Sequence, residues 1–201
     1  MGPAERIHLG CGNDIRQGWV NVDSANIPGV DVVHDLTAFP WPFESNRFEE
    51  VRAHHVLEHL PDTVKTIEEI HRICVPGARV VIYVPYWNSR DMMTDPTHKR
   101  FFSEYSFDYF DPSKAYCQER PYYSSARFRI VNKNYFIKFG AYRRVTAPWA
   151  KSLLELAARH LCGVIWAMEI ELCALKTATQ PVKISRSENP ETPEATLHAY
   201  S

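Results

Sequence analysis

The chain has 201 residues, of which 45% are hydrophobic and 23% charged, and its formal net charge is −1. These values predict a single globular domain with a sizeable core, and no apolar run approaches the roughly eighteen residues that a membrane span needs. The first residues lack the basic and apolar regions of a signal peptide, and the 5 cysteines form no CxxC pair. We therefore expect a cytoplasmic protein with reduced thiols, without a disulfide framework or a zinc site.

Strands alternate with a helix in the first half of the chain. The pattern predicts a helix over 62–74 and strands over 7–10, 19–23, 30–36, 48–56 and 78–85. This order indicates an α/β, Rossmann-like fold with a mainly parallel, doubly wound sheet. Ligands of such sheets bind beyond the carboxyl ends of the strands. One crevice should therefore collect the residues at five strand ends, which are Gly10, Asp23, Asp35, His54–His55 and Tyr86–Trp87.

The second half of the chain is less regular. Residues 128–137 predict a strand pair or one long bent strand, and 169–177 predict an antiparallel closing strand. Between them, 148–168 contains a helix whose apolar stripe comprises Leu153, Ala157, Leu161 and Ile165. Residues 1–177 then form one domain, and 178–201 form a flexible or surface-draped tail because they are rich in proline and polar residues.

Aromatic and basic residues concentrate in the region 86–168, where we expect the acceptor to bind. Segment 86–128 holds 12 of the chain's 25 aromatic residues, which either pack in the core or form a pocket or lid. Segment 112–151 holds nine Lys and Arg against one acid, a net +8. That charge indicates either a solvated basic face or an anionic partner such as a phosphate-bearing substrate, a nucleic acid or a membrane.

A two-glycine turn follows the first predicted strand. Glycine lets backbone amides approach a ligand closely at Gly10 and Gly12. Asp23, at the end of the next strand, is placed to accept both hydroxyls of a ribose, and Asp35 could meet an adenine amino group. Capping of turns is the alternative role for both acids.

Six segments together resemble the class I S-adenosylmethionine-dependent methyltransferases, and more narrowly their small bacterial type-11-like branch. They are LGCG (9–12), GWVNVD (18–23), HDL (34–36), HHVLEHL (54–60), PGARVVIYVP (76–85) and DPTHKRFF (95–102). The resemblance covers roughly residues 7–110 and implies S-adenosylmethionine as cofactor and S-adenosylhomocysteine as product. By this resemblance the first loop cradles the methionine part, Asp23 binds the ribose, and His54 lies near the cofactor. The remaining cofactor residues that it implies are Leu9, Gly10, Cys11, Gly12 and Asn13 in the loop, and Asp35 and Leu36 at the adenine.

Two features depart from the commoner family pattern. Asn13 stands where a third glycine often occurs, and the first helix is shortened to roughly 13–17. S-adenosylmethionine carries no pyrophosphate, so two glycines suffice for close backbone approach.

Histidines supply the candidate acid–base chemistry. An oxygen acceptor must lose its proton, and a histidine suits that task near neutral pH. His98 is the first choice for the base, with Asp95 orienting it or binding the acceptor, and His55 is expected to reach the acceptor. The alternative is that Asp95 only forms a turn and that His98 is only a surface residue. We expect no metal, because His55 and His59, four residues apart, supply only two local ligands.

The acceptor is predicted to be a small hydroxylated molecule, sugar-like or phosphorylated, with Tyr86, Trp87 and Arg100 among its contacts. The sugar is what the resemblance implies. One alternative is an RNA or other nucleic-acid methyltransferase that uses the basic segment, although no RNA-binding module is recognisable. The other is a non-catalytic, cofactor-binding partner subunit. The sequence leaves homo-oligomerisation open.

Overall fold

The computed structural model describes residues 5–139 and 141–176, and the predicted tail, 178–201, lies outside them. Eight strands within these residues form one sheet, and four α-helices and three short 3₁₀ turns connect them. The strands are β1 (Glu5–Leu9), β2 (Val20–Asp23), β3 (Val32–Val33), β4 (Phe48–His54), β5 (Cys74–Pro85), β6 (Phe128–Phe139), β7 (Ala141–Val145) and β8 (Ala167–Ala174). The helices are α1 (Thr63–Ile73), α2 (Arg90–Thr94), α3 (Ala115–Glu119) and α4 (Pro148–Ala158). None of these helices is long and apolar enough to cross a membrane.

The sheet has the order β3-β2-β1-β4-β5-β8-β6-β7. The first five strands are parallel, and the pairings of β8 with β5 and β6, and of β6 with β7, are antiparallel. This confirms the predicted Rossmann-like class, mostly parallel with antiparallel strands near the C-terminus. One continuous row of apolar side chains crosses six strands in register: Val20, Ile7, Val51, Val80, Leu172 and Ile130.

Helix α1 forms where the sequence predicts it. Asp62 caps its start, because the carboxylate accepts the Lys65 backbone N–H at 3.0 Å. Ile67, Ile70 and Ile73 are fully buried, as their spacing predicts.

The connections β1–β2 and β2–β3 contain no helix. The expected helix over 13–17 is wrong, because the Asn21 side chain satisfies this backbone instead: its Oδ1 accepts the Arg16 N–H at 2.9 Å and its Nδ2 donates to the Arg16 carbonyl at 3.0 Å. The expected strand over 30–36 shrinks to the two residues of β3.

The apolar stripe predicted for the helix in 148–168 is also wrong. Helix α4 ends at Ala158, and Leu153 and Leu161 are 58% and 60% exposed, whereas Ile165 is buried beyond the helix. The segment 128–137 proves to be one long strand that continues into a hairpin with β7. The closing strand β8 lies inside the sheet, between β5 and β6.

Candidate active site

The glycine turn lies where the strand order reverses, between β1 and β4. Gly10 has φ +58°, a conformation that residues with a Cβ rarely adopt. A Cβ on Gly10 would meet Val56 Cγ2 at 2.3 Å, so the turn after β4 closes directly over it. Gly12 also has a positive φ, +49°, but its Cβ position has no atom within 4 Å. Open α/β sheets bind their ligands at such a reversal point.

Asp23 ties the glycine turn to the end of β2. Its Oδ2 accepts the Gly12 N–H at 2.8 Å, and its Oδ1 accepts the Ala25 N–H at 2.9 Å. Each oxygen keeps a second lone pair, so the turn-capping and ribose-binding roles are compatible. Asp35 Oδ1 accepts the Thr37 N–H at 2.9 Å, and the hydrogen bonds from Thr37 lower the pKa of Asp35, which keeps it ionised.

A first pocket of about 190 Å³ opens beside these residues. Four of the predicted cofactor residues line it: Gly10, Asp23, Asp35 and Leu36. Of the other cofactor residues in the loop, Leu9 and Cys11 are buried and Asn13 is exposed, and Gly12 reaches the pocket wall only through its bond to Asp23.

His55, and not His54, enters the pocket at the end of β4. The His54 ring stacks on Tyr83 at 4.3 Å, and burial, together with the neighbouring His55 and Arg52, lowers the pKa of His54 to about 4. His55 has φ +55°, which turns its side chain out of the strand alternation. His55 Nδ1 lies 2.9 Å from Oε1 of Glu58, whose side chain is fully buried. Because a carboxylate only accepts, Nδ1 carries the proton and Nε2 has the free lone pair.

A second pocket of about 430 Å³ adjoins the first and shares His55 and His59 with it. Its other lining residues are Asp91, Thr94, Asp95, His98 and Tyr142. The fold therefore brings the three predicted catalytic residues, His98, Asp95 and His55, to one pocket. Sequence reasoning missed Glu58, Asp91, Thr94 and Tyr142. Only Glu58 had a local signal, its spacing of three residues from His55.

His98 is held by main-chain contacts more than by Asp95. His98 Nδ1 donates to the Met92 carbonyl at 3.0 Å, whereas its Nε2 lies 3.8 Å from Asp95 Oδ2. Asp95 is instead bonded to Thr97, whose N–H and hydroxyl donate to Asp95 Oδ1 at 2.8 and 2.6 Å. These bonds lower the pKa of Asp95. His59 Nδ1 lies 2.9 Å from the Thr97 hydroxyl oxygen.

The three predicted acceptor contacts do not line either pocket. The Tyr86 side chain is buried in the core: it is 1% exposed, and its hydroxyl donates to Glu104 at 2.5 Å. Trp87 is half-exposed, and its backbone N–H donates to the Phe102 carbonyl. The Arg100 guanidinium donates to the Pro61 carbonyl, and this bond holds the guanidinium against the loop that contains Pro61.

The aromatic residues of 86–128 form a separate pocket. Six of its eight lining residues come from this segment: Phe101, Phe102, Ser106, Tyr109, Phe110 and Tyr123. This pocket of about 270 Å³ lies against Thr63 and Val64 at the start of α1 and shares no lining residue with the two histidine-lined pockets.

Internal partners take up much of the positive charge of 112–151. Lys133 contacts Asp108 at 2.8 Å, Arg144 contacts Glu169 at 2.6 Å, and Lys138 lies over the Trp166 ring at 4.3 Å. The Arg127 guanidinium donates to three backbone carbonyls. These cations have structural partners, which weakens the case for a broad anion-binding face.

Comparisons with known proteins identify the fold. Residues 4–82 match the model of the family described as "Methyltransferase domain", type 11. A S-adenosylmethionine-dependent methyltransferase from Archaeoglobus fulgidus superimposes with TM-score 0.52 at 17% identity, covering 85% of this chain and 86% of that one. One from Mesorhizobium loti gives 0.50 at 12% identity, covering 84% and 90%. A chain of the Haloferax volcanii complex between the Trm112 methyltransferase activator and a methyltransferase gives 0.52 at 14%, covering 87% and 85%. A search of the curated proteins found no significant match.

The residues present fit S-adenosylmethionine. Gly10 has no side chain, and a Cβ at this position would collide with Val56. Two carboxylates that can accept hydrogen bonds from the ribose and the adenine line the same pocket. The match of residues 4–82 to the methyltransferase-domain family, and the fold shared with S-adenosylmethionine-dependent methyltransferases, agree with the resemblance that the motifs carry.

Proposed function

We propose that this protein is a cytoplasmic enzyme that transfers a methyl group from S-adenosylmethionine to a hydroxyl of a small, sugar-like molecule. One observation carries the proposal: His55, paired with the buried Glu58, lies on the boundary between the two adjoining pockets. In this assignment the pocket with Gly10 and Asp23 holds the cofactor, and the pocket with His98 and Asp95 holds the acceptor.

His55 is the better-placed base. The sequence alone favours His98, but His55 contacts both pockets, and its free Nε2 can take the proton of an acceptor hydroxyl. Glu58 keeps the ring in the required tautomer and stabilises the imidazolium that forms, as a carboxylate does in other histidine-based sites. The cofactor supplies a methyl group on a sulfonium that is already reactive, so positioning by the two pockets contributes much of the rate.

The charges of the second pocket favour a neutral polyhydroxyl acceptor. Asp91 and Asp95 line it, and carboxylates accept hydrogen bonds from hydroxyls but repel a phosphate. The Arg100 guanidinium, the one cation among the expected acceptor contacts, is bonded to the Pro61 carbonyl. A phosphorylated acceptor would therefore place its phosphate outside this pocket.

The proposal is tested by offering methyl-labelled S-adenosylmethionine with separate pools of neutral sugars, sugar phosphates and RNA. We expect label in the neutral sugar pool, on oxygen. Label in RNA would replace the proposal with the nucleic-acid alternative. Cofactor binding without turnover in any pool would favour the non-catalytic partner subunit.

Once an acceptor is known, histidine variants separate the roles. His55→Ala should lower the single-turnover rate about 10²–10⁴-fold, the usual effect of losing a general base. Glu58→Gln should lower it less, and the exposed His160→Ala is the matched control with an unchanged rate. If His98→Ala abolishes turnover while His55→Ala retains it, the base is His98.

A further inference from the structure

A cluster of three metal-ligating side chains lies beside the second pocket. Glu58, His59 and His98 each offer a donor atom, and these atoms lie within 4.8 Å of one another. Glu58 and His59 come from the 3₁₀ turn Leu57–His59, and His98 comes from the loop after α2. The backbone joins the two segments, since the N–H groups of Lys99 and Arg100 donate to the Glu58 carbonyl at 2.7 and 3.1 Å.

Within the described part of the chain, one oxygen of the Glu58 carboxylate is buried without a hydrogen-bond donor. Its side chain is fully buried, and while Oε1 is bonded to His55, Oε2 has no hydrogen-bond partner among the described residues. A buried carboxylate oxygen without a partner carries a large desolvation cost. A bound cation would remove that cost.

Hydrogen bonds hold both histidines in the tautomer that a metal requires. His98 Nδ1 donates to the Met92 carbonyl, so its Nε2 keeps the lone pair. The Thr97 hydroxyl donates its only hydrogen to Asp95, and therefore accepts from His59 Nδ1, which leaves the lone pair of His59 on Nε2. Carbonyl and hydroxyl partners of this kind are the usual outer support of metal-bound imidazoles.

We infer that Glu58, His59 and His98 form a binding site for a divalent transition-metal ion. Two imidazole nitrogens and one carboxylate oxygen are a donor set that suits Zn²⁺, Co²⁺ or Fe²⁺ better than Mg²⁺ or Ca²⁺. Metal bonds of about 2.0–2.2 Å hold donors roughly 3.5 Å apart, so donors that lie within 4.8 Å of one another must approach by at most about 1.3 Å on binding. His59 lines both pockets and is not fully buried, so its side chain is the one we expect to move. The bound ion would share Glu58 with His55, which links metal binding to the orientation of that ring.

The test is titration of the EDTA-treated full chain with Zn²⁺ and with Co²⁺, by calorimetry and by visible absorption. All measurements use a Cys162→Ser background, because Cys162 is an exposed thiol that could bind the same ions. We expect one ion per chain, a Co²⁺ spectrum without thiolate character, and a raised melting temperature. Mg²⁺ should give none of these.

Three variants decide whether the ion is at the inferred site. His98→Ala should weaken Zn²⁺ binding at least about 100-fold, and His160→Ala, its control, should not change it. Thr97→Val removes the acceptor of His59 Nδ1 without touching a ligand and should weaken binding about 10–100-fold. Thr97→Val keeps the test decisive if His98→Ala fails to fold. Binding that neither His98→Ala nor Thr97→Val weakens, or no binding by the wild type, overturns the inference.

Discussion

Gly10→Ala tests how the glycine turn is built, and Gly12→Ala is its matched control. Both glycines have positive φ, and the left-handed conformation lowers the stability of an alanine at either position by about 1–2 kcal/mol. Only at Gly10 does the new Cβ collide, at 2.3 Å from Val56 Cγ2. Overpacking of this kind costs roughly 1–3 kcal/mol more. Gly10→Ala should therefore destabilise the fold by about 2–5 kcal/mol, and Gly12→Ala by about 1–2.

Urea unfolding of the two variants measures these free energies directly. The double variant Gly10→Ala/Val56→Ala removes both methyl groups that collide, so it should be more stable than the sum of the two single changes predicts. The same proteins, titrated with S-adenosylhomocysteine, should show that Gly10→Ala binds more weakly than Gly12→Ala, because Val56 and Gly10 both line the first pocket. Equal destabilisation by the two glycine variants, with no coupling to Val56, would refute the close approach.

Three further outcomes are expected. Asp23→Ala should weaken S-adenosylhomocysteine binding at least tenfold in calorimetry, since hydrogen bonds to a charged acceptor contribute about 1.5–3 kcal/mol each, and an unchanged Kd would exclude the ribose contact. The folded protein lowers the pKa of His54 from 6.5 to about 4, so below pH 6.5 the unfolded chain binds this proton more readily. The free energy of unfolding should therefore fall by about 2 kcal/mol as the pH is lowered from 7 to 5. In His54→Phe, the melting temperature should depend less on pH over this range. Gel shifts with unstructured RNA should show only weak, salt-sensitive association, because Lys133, Arg127 and Arg144 have internal partners; tight, saturable binding would contradict this.

The parallel half of the sheet was predictable because its signals are local. Residues 78–85 of β5 are a nearly continuous apolar run, α1 has isoleucines at helical spacing behind an aspartate cap, and the glycine turn directly follows β1. Each of these patterns can be recognised from its own residues alone. Helix α1 and the glycine turn formed where they were expected, and β5 contains the predicted strand 78–85 but begins earlier, at Cys74.

The parts that were not predictable depend on distant partners. The loop after β1 is not helical because Asn21, in the next strand, takes over its hydrogen bonds. His55 replaces His54 in the pocket because one residue adopts a positive φ, which no periodicity reveals. His98 reaches His59, at a ring distance of 4.8 Å, only because backbone bonds join residues some forty positions apart.

The internal position of β8 has a consequence for how the chain folds. β5 and β6 have no direct pairing, and each is hydrogen-bonded to β8. Until residues 167–174 are inserted, the sheet consists of a parallel portion ending at β5 and a separate β6–β7 hairpin, each with an open edge. Such edges pair readily with other chains, and strand pairing across long sequence separations is slow. We therefore expect the open edges of β5 and β6 to be available for pairing with other chains during synthesis on the ribosome, until β8 has emerged.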